Sequence, residues 1–334
     1  MDPVDPVALA RQLIDIDSTT GREGEVADVL AAFLRGRGYA VVEQPLGDGR
    51  RNVIATLAEP CVVFSTHFDC VPPFFPSRLE GDVLSGRGAC DAKGILAAQV
   101  AAAEQLRASG EARVGLVFVA GEERGSDGAM AANTIASPSR FLINGEPTDN
   151  RLGAATRGVF RIRLIATGLA AHTGYPELGE SAIEKLLDVL MSLRVAEWPT
   201  DLALGTTHYT VGVIKGGVAP NVIPAHAEAE IVFRSVGHHH ALREVLTRAV
   251  AGRVAIQEVL EVPPMKLMTA EGFDTAVFAY TTDIPFLDKW GTPLLLGPGS
   301  IHVAHTDREH VHVTELLRAV DLYASLAADL LHRA

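Results

Sequence analysis

Residues 62–94 read VVFSTHFDCVPPFFPSRLEGDVLSGRGACDAKG. The opening VVFST is apolar and β-rich over a length that suits a strand buried on both faces, as in a parallel sheet. Such a strand delivers His67 to the carboxyl edge of the sheet, where open α/β folds gather their ligands. Asp69 falls on the same side if the chain stays extended, and there it can accept the second imidazole N–H and fix which nitrogen faces a metal. Asp91 follows a glycine-rich approach. It stands just ahead of KGILAAQVAAAEQLRAS, whose alanines and leucines predict a helix from Lys93 to Ser109, stopped by Gly110.

The pattern repeats downstream. RVGLVFVAG reads as a second buried strand ending at Glu122 and Glu123, SDGAMAANTIA as a short helix capped by Ser126 or Asp127, and Phe141–Asn144 as a third strand ending at Glu146. Upstream, Val7–Asp15 and Glu23–Arg37 carry apolar residues at helical spacing around a break at Thr19–Gly21, followed by strands at Tyr39–Glu43 and Asn52–Leu57. The middle of the chain changes character. Val159–Thr167, Ser181–Arg194, Thr207–Lys215, Glu228–Ser235, His239–Ala251 and Arg253–Glu261 read as β-α-β-β-α-β, the split ferredoxin-like unit. Residues 158–264 are therefore expected to form an inserted domain, with 1–157 and 265–334 making one discontinuous catalytic domain. The tail adds a strand at Thr292–Leu296, a GPG turn at 297–299, and an amphipathic helix at Thr314–Leu331. The fold class expected is α/β: a mixed, mainly parallel sheet plus the inserted ferredoxin-like unit.

With 334 residues there is room for about two domains. A formal charge of −12 opposes nucleic acid or an anionic membrane as partner, since both need a concentrated basic surface. No apolar run approaches spanning length, and the amino terminus carries acids where a signal peptide needs basic residues, so a cytoplasmic protein acting on a small molecule is expected. Cys61, Cys70 and Cys90 show no CxxC spacing. The last two lie within the His67–Asp91 stretch, near its ends, flanking the proposed site, and read as small buried thiols rather than soft metal ligands. The run His238-His239-His240 reads as a solvated turn at a helix start rather than a metal site.

Collected, the chemistry-bearing residues are His67, Asp69, Asp91, Glu122, Glu123, Glu146 and His305. Imidazole with carboxylate suits zinc, and also cobalt or manganese, while the lack of thiolate ligands opposes a closed structural zinc site. The donors suffice for two ions about 3.5–4 Å apart sharing a carboxylate and a water. On an extended strand Glu122 and Glu123 point to opposite faces, which would set a ligand beside a general base.

In order along the chain, HFDCVP, GRGACDAKG, GEERGSDGA, NGEPT, AAHTGYPE, APNVIP, GPG and AHTDREHV resemble the successive motifs of the two-zinc aminoacylase and carboxypeptidase family. The resemblance implies that His67 and Glu146 hold one metal, Glu123 and His305 the other, and Asp91 bridges them. It implies Asp69 as the orienting residue of His67 and Glu122 as general base. AHTDREHV selects His305 over the nearby His302. In the inserted domain it implies that His172 steadies the oxyanion at a neighbouring subunit's site and that Asn221 and Arg234, with Gly297 of the GPG turn, bind substrate. The expected protein is a homodimer, joined through that lid, which hydrolyses an N-acyl amino acid much as acetylornithine deacetylase does. A dipeptidase or carboxypeptidase is the alternative within the family, and a catalytically silent binding protein the alternative outside it. The segment PFFPSRLEGDVLS departs from many family members, being short and without their tryptophan, so substrate choice does not carry over.

Overall fold

The computed structural model describes residues 2–333. The chain divides into two compact units, one running through Ala154 and resuming at Leu267–Ala276 and from Thr282 onward, the other comprising Ala155–Lys266 and Val277–Thr281. The division lies a few residues outside 158–264 and recruits a short later segment. Val277–Thr281 joins the second unit where Arg157 N–H donates to the Phe278 carbonyl at 3.0 Å.

In the first unit the chain forms helices α1 (Pro6–Ile14) and α2 (Gly24–Gly36), strands β1 (Ala40–Gly47), β2 (Arg50–Thr56) and β3 (Val62–His67), helix α3 (Lys93–Ala108), strand β4 (Val114–Val119), helix α4 (Asp127–Ala132) and strand β5 (Phe141–Asn144). It later adds the strand Thr292–Leu295 and the closing helix Val313–His332. The sheet order is β1-β2-β4-β3-β5 and then Thr292–Leu295. Pairings from β4 through β3 and β5 to the last strand are parallel, whereas β1–β2 and β2–β4 are antiparallel. This is the mixed, mainly parallel sheet expected from its apolar strands.

Both faces of the sheet are covered, which explains why β3 and β4 are buried at every step rather than alternating. Val62, Phe64, Leu116, Phe118, Phe141 and Ile143 pack into one core with α1, α2, α3 and the closing helix. Val63, Val117, Val119 and Leu142 pack on the other side with Ala129 and Ala132 of α4, Leu287 and Trp290. The start of α1 is satisfied locally: Asp5 Oδ1 accepts the N–H groups of Val7 at 2.9 Å and Ala8 at 3.2 Å, ahead of Pro6 in the first turn. PFFPSRLEGDVLS is structured. Arg78–Glu80 and Val83–Ser85 form a hairpin, and His310–His312 adds a third antiparallel strand.

The second unit carries β6 (Gly158–Thr167), α5 (Ala182–Arg194), β7 (His208–Gly216), β8 (His226–Ser235), α6 (His239–Val250) and β9 (Ala255–Val262). Its sheet order is β7-β8-β6-β9 with all neighbours antiparallel. The two central strands, β6 and β8, now alternate between buried and more exposed residues, because helices cover one face only. Phe160, Ile162, Leu164 and Ala166 meet Ala227, Ala229, Ile231 and Phe233 beneath Leu186, Val189, Leu242 and Leu246. His239 corrects the reading of the histidine run as a solvated turn. It is buried, with Nε2 2.6 Å from Ser235 Oγ and Nδ1 2.8 Å from Glu261 Oε1, so only its two neighbours are exposed. Among the described residues no helix is long and apolar enough to cross a membrane.

Candidate metal centre

His67 is the last residue of β3, and its ring is buried. Nε2 lies 3.0 Å from Asp91 Oδ1, and Nδ1 lies 3.1 Å from the Asp69 carbonyl and 3.4 Å from its Oδ1. Asp69 therefore faces the ring nitrogen directed away from Asp91. Its carboxylate does more than the sequence suggested: it accepts Thr20 Oγ1–H at 2.8 Å and the backbone N–H groups of Glu122 and Glu123 at 3.1 and 3.2 Å. One buried acid thus links the β3 edge to the turn after β4.

That turn differs from expectation. Glu122 and Glu123 do not continue β4, which ends at Val119; they start a 3-10 turn, Glu122–Arg124, entered through Gly121 at φ 81°. The side chains still diverge, now through helical rather than strand periodicity. A β-carbon at Gly121 would collide with Asp127 Oδ1 and Arg50 Nη2. Those atoms cannot withdraw cheaply, because Arg50 holds Asp127 through two bonds of 2.7 and 3.0 Å and also the buried Glu23. Gly121→Ala is expected to destabilise the fold by about 1–3 kcal/mol from backbone strain alone. A thermal melt with an unchanged midpoint would refute this.

Asp91, buried in the loop before α3, stands between two imidazoles, with Oδ1 at 3.0 Å from His67 Nε2 and Oδ2 at 3.2 Å from His305 Nε2. His305 Nε2 also lies 2.9 Å from Glu123 Oε1. Donor atoms of His67, Asp91 and Glu146 gather within 4.8 Å of one another, and so do those of Asp91, Glu123 and His305. Asp91 belongs to both groups, and the thiols belong to neither. Glu146 is buried, and its Oε1 finds no hydrogen-bond donor.

The titrations report the same crowding. Burial raises Glu122 and Glu146 well above the ordinary carboxylate range, and neighbouring acids add to the shift while His67 opposes it. Burial also raises Glu123, against the bond from His305. For His67, burial acts downward, but Asp69 and Asp91 outweigh it and hold the imidazole well above its usual value. His305 is pushed up to about 10 by Asp91 and then Glu123. Asp91 itself is lowered despite its burial, through His305 and His67. So many acids in a poorly solvated space, one with an orphaned oxygen, make a pocket that calls for cations. Imidazole nitrogen and carboxylate oxygen are donors suited to a divalent transition metal, so the residues fit two such ions.

Other expected residues lie elsewhere in the chain. His172 and Asn221 are exposed in the second unit on adjoining loops, with Thr173 N–H donating to the Asn221 carbonyl at 3.3 Å. Arg234 is half-buried on β8 opposite His208 of β7. Gly297, expected to contact substrate, is buried with its backbone close against that of Glu146. Its N–H donates to Thr148 Oγ1 at 2.9 Å, its carbonyl accepts Asn150 N–H at 2.8 Å, and a β-carbon there would collide with the Glu146 carbonyl. Two acids escaped sequence reasoning. Asp283 is buried beside the cluster and raised to about 6 by burial, and Glu309 is wholly buried below the Asp91 loop. Only Glu309 carried a signal, its place within AHTDREHV.

A two-faced α/β sheet with imidazoles and carboxylates converging on a shared aspartate offers donor groups for two divalent ions. Residues 63–329 match peptidase family M20/M25/M40, and the chain belongs to that family, whose members are metal-dependent hydrolases of carbon–nitrogen bonds. A probable carboxypeptidase from Aspergillus terreus is 37% identical over 364 residues, covering 95% of this chain and 84% of that protein. Among solved structures, aminopeptidase PepT from Bacillus cereus superposes with a TM-score of 0.80 at 20% identity, covering 97% of this chain and 98% of that one. The YXEP protein of Bacillus subtilis, described as a dinuclear metal-binding peptidase of the M20 family, gives 0.72 at 15% identity over 98% of each. At such identities the two structures speak for the fold alone.

Proposed function

We propose that the chain is a two-metal exopeptidase that cleaves the amide bond preceding a free carboxylate, releasing a carboxy-terminal residue or an amino acid from its acyl group. The observation that carries this reading is the Asp91 carboxylate with one oxygen toward His67 and the other toward His305. His67 and Glu146 would hold one ion and Glu123 and His305 the other, with Asp91 belonging to both groups; zinc suits the donor set, with cobalt or manganese as substitutes. Divalent ions, when bound there, would supply Lewis acidity toward the scissile carbonyl and toward water. Glu122 takes the proton from the attacking water and returns it to the departing amine nitrogen. Asp69 fixes the His67 ring and, through the amides of Glu122 and Glu123, the turn that carries the base. As the family resemblance implies, Asn221 and Arg234 receive the substrate carboxylate, and His172 of a neighbouring copy donates to the oxyanion.

The name of the fungal relative, a probable carboxypeptidase, supports the carboxypeptidase reading over that of an acetylornithine deacetylase. A panel of dipeptides, their carboxy-terminal amides and N-acetyl amino acids separates the two. Dipeptides with a free carboxylate are expected to be cleaved fastest, amidated ones not at all, and a chelator should abolish turnover until metal is restored. Equal hydrolysis of amidated substrates would sink the exopeptidase reading. An intact ligand set beside Glu122 argues against a silent scaffold.

The second unit joins two copies. Ile214 and Val218 at its edge strand and turn, with Leu187 and Met191 of α5, are exposed apolar side chains that a second copy would cover. Sedimentation is expected to show a dimer and Ile214→Asp to shift it toward monomer; a wild-type monomer with full activity would contradict this.

A further inference from the structure

Glu309 lies in the motif that supplies His305, yet no ligand or base role uses it. Its carboxylate and the Arg87 guanidinium are both buried, with Arg87 Nη1 2.5 Å from Glu309 Oε2. The other oxygen, Oε1, accepts three backbone N–H groups, from Gly88 at 2.8 Å, Cys90 at 3.3 Å and Asp91 at 3.2 Å. The Glu309 carbonyl takes a fourth, from Gly86 at 3.2 Å. One residue from the segment after His305 thus gathers the whole loop that presents Asp91. Arg87 extends the clamp, donating through Nε to the Pro73 carbonyl at 3.2 Å and lying 5.0 Å over the Phe75 ring.

A buried ion pair is a poor device for stability, since apolar replacement of both partners is often neutral or better. Buried amides of an irregular loop, however, need an acceptor, and a carboxylate fixed by arginine supplies one oxygen to three of them at once. The consequence falls on Asp91, whose two oxygens face His67 and His305 only while its backbone is held. We propose that Glu309 is a positioning residue of the metal centre: it sets the Asp91 carboxylate between the two ligand groups, so that both depend on it. This rests on the two-metal reading.

Metal-free protein titrated with Co2+ against a competing chelator, with the visible absorption of bound ions recorded, tests the assignment. Glu309→Gln keeps the shape but turns an amide toward N–H donors, and it is expected to weaken uptake of both ions by about 10- to 100-fold and alter the absorption, with cooperative unfolding retained. Glu309→Asp, which keeps the charge, should recover part of the loss. The pair Arg87→Met with Glu309→Gln leaves no stranded guanidinium and should lose affinity as the single variant does. Wild-type affinity and absorption in either glutamine variant overturn the proposal, even where the melting midpoint falls. So does failure of all three to fold, which would make Glu309 a folding residue. A wild-type chain that takes up no Co2+ refutes instead the two-metal reading on which the proposal stands.

Discussion

Replacing Glu122 by Gln is expected to lower kcat by about 10²- to 10⁴-fold while leaving metal content and KM near those of the wild type. Glu122 lies outside both donor groups, so its loss should not release a metal. It is nonetheless held in place: its N–H donates to Asp69 Oδ1 at 3.1 Å, and the adjacent Gly121 has no room for a side chain. Burial and like charges raise its pKa. A carboxylate in that condition seeks a proton, which is what a base at an attacking water must do, and the divalent charge expected beside it would temper the shift. Glutamine has the shape and no basicity. Single-turnover rates with metal content measured on the same samples decide the matter. Activity within tenfold of the wild type would move the base elsewhere, and a fall in bound metal would make Glu122 a ligand.

Those features were legible wherever a local pattern carried them. The apolar run before His67 stated a strand buried on both faces, and its length stated where the histidine would emerge. The parallel strands ending near Glu122 and Glu146 repeated the signal. The short hairpin at 78–85 escaped because three-residue strands have too little alternation to read. Glu122 and Glu123 were placed beside each other correctly but in the wrong geometry, since the left-handed φ of Gly121 turns the chain before they arrive. Thr20 and Asp283 offered no pattern at all. An acid buried by a segment more than a hundred residues distant is marked by tertiary neighbours, not by spacing. His239 shows the reverse case: a run of three histidines looks solvated as a run, although helical geometry sends the middle one inward to Ser235 and Glu261.

Zinc is expected to stabilise the protein strongly at pH 8 and hardly at pH 5, and the sign follows from the shifted groups. In the metal-free fold His67 is raised well above its ordinary value of 6.5, and His305 to about 10. A raised imidazole contributes stability that is complete below pH 6.5 and lost as pH climbs through the folded value. Glu122, Glu123 and Glu146, raised above 4.5, lose theirs in the same direction. Asp69 and Asp91 are lowered, so they contribute above the ordinary carboxylate range and fail only in strong acid. Between pH 5 and 9 the metal-free chain should therefore weaken steadily. Metal uptake runs the other way, because an imidazole must shed its proton before it can ligate. Each ion held at a hundredfold excess over its Kd adds about 2.7 kcal/mol. The gap between unfolding midpoints with and without zinc should accordingly widen across that range, and zinc added at pH 7 in weak buffer should release protons from the ligand groups that are raised in the metal-free fold, the imidazoles among them. A gap independent of pH, or uptake of two ions without proton release, would mean that the histidines and the ligand carboxylates are already deprotonated in the metal-free fold.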